Sequence, residues 1–341
     1  MTANNVQTAK AIYEALKVLG LTRAQVRRLL PAWWEPAMEQ TADGVAELCL
    51  IVSRRLDVDF ASLSQGVVAR KDAKAQVAYK HATGADVGSL QAATCVATSL
   101  AQAVLAALPT TRSELPASPK VLATRCKELG SGMVSLASMV EACWQLGVPV
   151  IPLPNLPVGV RKMDGAVIKV GDRPAIVISK KKSSRAWLGF ILAHEIGHLA
   201  KGHLNGSGSI IDVSLQEQAT YETESGADNQ EREADEFALA LLGGERVEST
   251  VSKWSPQSSP TTLAVYAKTS AAACGVEPGH LVLRFAFKTK RWAEAMIALN
   301  YLQEDANAEL VMQAGLKRHL DLDRVADDMR DFIVQVTGIQ A

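Results

Sequence analysis

The 341-residue sequence predicts an α+β, mostly helical protein. A small sheet and one histidine-bearing helix occupy mid-chain, and helical N- and C-terminal regions flank them. Three observations carry this expectation. Apolar residues recur at spacings of three, four and seven through most of the chain, the period of amphipathic helices. Two β-branched runs, 165–170 and 175–179, lie close together in mid-chain. An apolar run at 187–203 containing His-Glu-x-x-His follows them directly. The length suits two or three domains. The expected division is a helical domain at 1–80, a connecting helix and linker at 81–130, the sheet and histidine helix at 131–250, and a helical region at 251–341.

The elements follow in order. Ala9, Ile12, Leu16 and Leu19 form one apolar stripe that ends at Gly20; Thr22 caps a second short helix bearing Val26, Leu29 and Leu30, and Pro31 stops it. A third helix spans about 44–56. Residues 86–108 form a helix long and apolar enough to suggest a membrane span. Gln91, Thr94, Thr98, Ser99 and Gln102 interrupt it and no basic flank or aromatic belt follows, so it is expected to be a buried helix with no membrane partner. The Thr-, Ser- and Pro-rich stretch 109–119 reads as a linker, and a helix at 135–146 ends at Gly147. Residues 148–154 read as a proline-marked edge segment. The two β-branched runs then form a hairpin around the turn 171–174. Ser183 or Ser184 caps the helix that follows. The Gly-, Ser- and acid-rich segment 204–229 reads as a loop that could gate a site. After Gly244 helices are expected from 259 or 261 to 273, from 278, over 292–302 and over 316–336. His280, alone near a helix start, is expected on the surface.

His194-Glu195-Ile-Gly-His198 carries the chemistry. Residues four apart on a helix share a face, so His194 and His198 can hold one metal ion. Glu195 sits beside the ion rather than on it, where a carboxylate can take a proton from activated water; this is the physical content of the zincin motif. A lone histidine on an apolar helix is usually a satisfied core residue. Two at this spacing in so apolar a run need partners. The third ligand must come from elsewhere: His203 is five residues past His198 and turned off the ligand face. Downstream, Ala234, Phe237, Ala238, Leu241 and Leu242 mark a second amphipathic helix on which Glu231 and Asp235 share a face. Glu231 is the favoured third ligand, with Glu233 and an earlier acid as alternatives, and Asp235 can orient a ligand histidine from behind. Three protein ligands leave a position open, the mark of a catalytic site. Two histidines and a carboxylate suit zinc; manganese and iron are also compatible with these donors. His203 and Tyr221 are the candidate oxyanion donors.

His194-Glu-Ile-Gly-His198 followed by Glu231-Arg-Glu-Ala-Asp235-Glu-Phe-Ala-Leu-Ala-Leu-Leu242 resembles the ImmA/IrrE metallopeptidases, over residues 131–243. That family pairs a HExxH helix with a Glu-x-x-Ala-(Asn/Asp)-x-Phe-Ala-x-x-Leu-Leu helix whose first Glu is a ligand. Its second helix often runs on to Leu-Leu-Met-Pro, where this chain has Leu-Leu-Gly243-Gly244. The resemblance implies a minimal zincin-like domain with the sheet packed on the HExxH helix, an edge strand that holds extended substrate, and a zinc-dependent endopeptidase of narrow specificity. It also implies a repressor-type, helix-turn-helix substrate cut in response to stress or a mobile element. Residues 1–80, ending in Leu56-Asp-Val-Asp-Phe-Ala-Ser-Leu63, resemble the helix-turn-helix domain that often precedes the peptidase, which makes DNA a second candidate partner.

Composition bounds these readings. Charge is balanced, 36 basic against 36 acidic residues, so bulk electrostatics give no argument for nucleic acid. Residues 1–80 hold 11 Lys or Arg against 8 Asp or Glu, a thin footprint for DNA. Where a recognition helix is expected, Trp33-Trp34-Glu35-Pro36 offers aromatics and acid instead of base-reading side chains. Five scattered cysteines with no CxxC pair, and an N-terminus without the build of a signal peptide, predict reduced thiols and a cytoplasmic protein. The rival readings are a DNA-binding regulator whose metal domain senses and does not cleave, and an idle interaction domain. Glu195 speaks against the idle domain, which needs no carboxylate there.

Overall fold

The computed structural model describes residues 8–80, 87–110, 113–180, 184–204, 206–212, 229–302 and 308–340. The protein is α+β, about 60% helical, with one small mixed sheet of five strands. The N-terminal helices are α1 (Ala9–Ala15), α2 (Arg23–Arg27), α3 (Ala42–Arg55) and α4 (Phe60–Ser64), followed by strand β1 (Gln76–Lys80). Next come α5 (Gln91–Ala107), α6 (Pro119–Leu129), α7 (Leu136–Gln145), β2 (Val150–Pro152), β3 (Gly165–Val170) and β4 (Arg173–Ile178). The histidine helix is α8 (Arg185–Ala200), then β5 (Gly208–Asp212), α9 (Asn229–Leu241) and α10 (Gly244–Val251). The tail is α11 (Pro260–Cys274), α12 (Pro278–Thr289), α13 (Trp292–Asn300), α14 (Ala308–His319) and α15 (Asp327–Thr337).

The sheet order is β1-β5-β3-β4-β2. The expected hairpin is β3 and β4, antiparallel, with Val170 opposite Arg173. Its two-residue turn places Gly171 at a φ of 59°, which glycine adopts without a Cβ penalty. The proline-marked segment is β2, parallel to β4 at one edge. β5 lies antiparallel to β3, and β1 closes the other edge parallel to β5, with Lys80 opposite Asp212. Residues 165–168 are all buried, so both faces of β3 are covered; α5 and α8 both pack on β3 and β4.

Helix α8 is buried along nearly its whole length, from Ala186 to His198, as a helix apolar on every side must be. Ser184 caps it, accepting the Trp187 N–H. Helix α9 crosses it closely. A Cβ on Gly197 would lie 2.8 Å from the carbonyl oxygen of Ala234 and 2.9 Å from its Cα, so only glycine permits this approach. That contact seats Glu231, one turn before Ala234, over the histidines.

Several expectations change. Segment 204–229 is not all loop: residues 208–212 form the buried strand β5. Tyr221, and residues 213–228 of the expected loop 204–229, lie outside the described residues. His280 is 3% exposed, because its α12 neighbours Leu281, Val282 and Leu283 carry that turn inward. The predicted helix 316–336 is two helices. Between them the Asp321 side chain accepts the Asp323 N–H, a local turn that competes with helical bonding. The apolar stretch Gly88–Ala107 is 78% buried inside the protein, packed as α5 and its first turn. All five cysteines are free and buried, and burial raises the thiols of Cys95 and Cys126 to about 12. Arg55 ties the N-terminal helices to α15, donating to the carbonyls of Leu29 (2.6 Å) and Asp328 (2.7 Å).

Candidate metal centre

His194 and His198 project from one face of α8 with their Nε2 atoms 3.0 Å apart. The Glu231 carboxylate straddles them: Oε2 lies 3.3 Å from His194 Nε2, and Oε1 lies 3.5 Å from His198 Nε2. Asp212, at the end of β5, brings Oδ2 to 3.5 Å from His194 Nε2 and 3.9 Å from His198 Nε2. These four buried side chains could hold a metal ion. Ligands about 2.0–2.1 Å from a tetrahedral ion sit roughly 3.3–3.4 Å from one another, and the separations here bracket that value. Asp212 is wholly buried with no hydrogen-bond partner on either oxygen. Such a carboxylate is costly unless a cation satisfies it, so the donor set fits a divalent ion.

The outer contacts fix which nitrogen faces the centre. Asp235 Oδ1 lies 2.8 Å from His194 Nδ1. A carboxylate accepts there, so the proton sits on Nδ1 and Nε2 is left for a metal. His203 lies behind His198, the two Nδ1 atoms 2.8 Å apart, and its Nε2 lies 3.0 Å from Glu233 Oε2. Glu233 accepts from His203 Nε2–H, so His203 Nδ1 accepts from His198 Nδ1–H and leaves His198 Nε2 for the ion. Burial holds His203 below the ordinary imidazole range despite Glu233, in keeping with a neutral relay. Glu233 thus stands two residues outside the donor cluster. His203 lies behind the His198 ring, with both of its ring nitrogens engaged by His198 and Glu233.

Glu195 is fully buried, its carboxylate oxygens without a hydrogen-bond partner. It rests on the start of β3, where a Cβ on Gly165 would collide with Oε1. Burial, the neighbouring Asp212 charge and a carboxyl-to-carboxyl contact with Asp212 hold its carboxyl well above the usual range. For His194, burial opposes the charged form, but hydrogen bonds to Asp235 and Glu231 outweigh it and raise the imidazole well above its ordinary value.

The structure therefore brings His194, His198, Glu195, Glu231 and Asp235 together. Sequence reasoning missed Asp212, which arrives on strand β5. The β-branched Ile210-Ile211 before it was the available signal. Comparison of the chain with protein-family models, with curated proteins and with solved structures finds no match in any of the three.

Proposed function

We propose that this chain is a zinc-dependent endopeptidase of narrow specificity with a zincin-like core, akin to the ImmA/IrrE metallopeptidases. The observation that carries the reading is a buried carboxylate with no hydrogen-bond partner, Glu195, on the same helix as two histidines whose Nε2 atoms meet Glu231 and Asp212. His194, His198, Glu231 and Asp212 would hold the divalent ion, which would supply Lewis acidity, lowering the pKa of water to roughly 7 and polarising a peptide carbonyl. Glu195 accepts the proton of the attacking water and returns it to the leaving amine. Asp235 and the His203–Glu233 pair hold both imidazoles in the required tautomer. The substrate class is a repressor-type regulatory protein, on the strength of the motif resemblance.

The test is capture followed by cleavage. Glu195→Gln keeps the shape of the site and cannot accept the proton, so as bait it should retain a protein that the unmodified enzyme cuts at one site. A Gln variant that cuts the captured protein at an undiminished rate refutes the mechanism.

Asp212 favours a second reading, in which the metal domain of a regulator senses and does not cleave. Four protein donors form a closed set, as in structural sites, and catalysis in such a site needs the coordination to expand, which zinc tolerates. Salt-dependent binding to operator DNA with no proteolysis of any captured partner would support that reading.

A further inference from the structure

Asp212 belongs to two neighbourhoods at once. Its Oδ2 lies 3.5 Å from His194 Nε2 and 3.9 Å from His198 Nε2, as the fourth member of the donor cluster with those histidines and Glu231. It also adjoins Glu195. Asp212 pairs with Gly165 across the β3–β5 ladder, and the Glu195 carboxyl fills the space where a side chain on Gly165 would stand. Opposed residues of antiparallel strands project from one face of the sheet, so Glu195 and Asp212 meet there, carboxyl against carboxyl. The backbone of Asp212 is fixed on both sides, opposite Gly165 in β3 and Lys80 in β1. Its side chain is wholly buried. A water that attacks a peptide carbonyl must reach both the ion and the general base. Asp212 fills the ground between the donor cluster and Glu195, which is where that water belongs.

We propose that Asp212 is an internal inhibitory ligand, which holds the position of the attacking water and keeps the resting site closed until its side chain is displaced. The proposal rests on the metallopeptidase reading. Closed sets of four protein donors mark structural sites, and catalytic sites keep one position for water. Here the closing donor is a side chain on a strand paired along both edges, so opening the site moves the carboxylate and leaves β5 in register. No bond is made or broken in the substrate by this step; one oxygen donor replaces another. The competitor is an oxygen of a bound substrate, brought in by contacts elsewhere along that chain. Peptides bound too weakly to displace a carboxylate are spared, which gives narrow specificity a physical cause. This latch differs from a sensor, in which the four-donor set is permanent.

The test uses the full chain loaded with cobalt, whose visible absorption reports the donor set, and azide as a small anionic probe of the fourth position. If the unmodified site is open one-tenth of the time or less, removing the latch should tighten azide at least about 10-fold in Asp212→Ala. The cobalt spectrum without azide should change, and cobalt should bind more weakly, because one donor is gone. If Asp212→Ala fails to fold, Asp212→Asn, which keeps the shape and is a weaker donor, gives the same readout. Equal azide affinity in the unmodified protein and the variants overturns the proposal, since the position would already be open. Unchanged cobalt affinity and spectrum overturn it too, since Asp212 would not be a donor. So does an Asp212 variant that binds azide tightly but no longer cuts a partner that the unmodified protein cuts, which would make Asp212 part of the chemistry. An unmodified protein that takes up no cobalt overturns the metallopeptidase reading itself, a distinct result.

Discussion

Gly197 is the small residue on which the metal centre turns. In Gly197→Ala the new methyl would stand 2.8 Å from the Ala234 carbonyl oxygen and 2.9 Å from its Cα, both backbone atoms that cannot rotate away. Ordinary carbon contacts begin near 3.5 Å, so α9 must back off α8 by about 0.7 Å. Glu231 moves with it, away from nitrogens now 3.3 and 3.5 Å distant. Overpacking of this kind costs about 1–3 kcal/mol. Where the strain falls on the ligands, that is roughly 10- to 100-fold in metal affinity at 1.4 kcal/mol per decade. The assay is a competitive zinc titration paired with a thermal melt. Gly189→Ala on the same helix is the control, because its methyl meets only the side chains of Met139 at 3.5 Å and Leu136 at 4.0 Å. The control should bind zinc normally and melt no lower, since alanine gains up to about 1 kcal/mol over glycine in a helix. Zinc affinity and melting equal to the unmodified protein in Gly197→Ala would refute the argument that this close approach seats Glu231.

Further outcomes follow from the same geometry. Asp235→Asn should cost about 10- to 100-fold in zinc affinity in the same titration while the fold survives, because the carboxylate that sets the His194 tautomer is gone; unchanged affinity would remove Asp235 from the site. The pH dependence has a defined sign. His194 is raised above its ordinary 6.5, so in protein stripped of metal its stabilising contribution is complete below 6.5 and is lost as pH rises through the raised value. Melting of the stripped protein should therefore fall over that window, and apparent zinc affinity should still be climbing above pH 6.5 as the proton leaves. Opposite slopes would mean that His194 is not held by Asp235 and Glu231. Arg55→Met strands the Leu29 and Asp328 carbonyls and should cost about 2–4 kcal/mol in denaturant unfolding, with zinc content unchanged.

Helical geometry explains what was legible in the sequence. His194, His198, Glu231 and Asp235 lie within two amphipathic helices whose internal spacing fixes which side chains share a face, and α8 and α9 run much as their periodicity predicts. The β3–β4 hairpin was equally readable, because its pairing is local and its turn residues mark it. Asp212 was not. It ends the five-residue strand β5, and no local period reveals that β5 pairs with β1 across more than 130 residues. Spacing within α9 gave no hint that Glu233 meets His203 behind His198. His280 was misjudged for a similar reason: one polar residue at a helix start says little until the packing of its neighbours is known.

Metal content across four single replacements tests the central claim most directly. Elemental analysis of the protein after zinc reconstitution and desalting should find about one zinc per chain in the unmodified protein and in Glu233→Ala, and little in His194→Ala, His198→Ala or Glu231→Ala, since only the latter three remove atoms of the donor cluster. An unmodified protein that retains no zinc, or a Glu233→Ala variant that loses it while Glu231→Ala keeps it, would contradict the site as described.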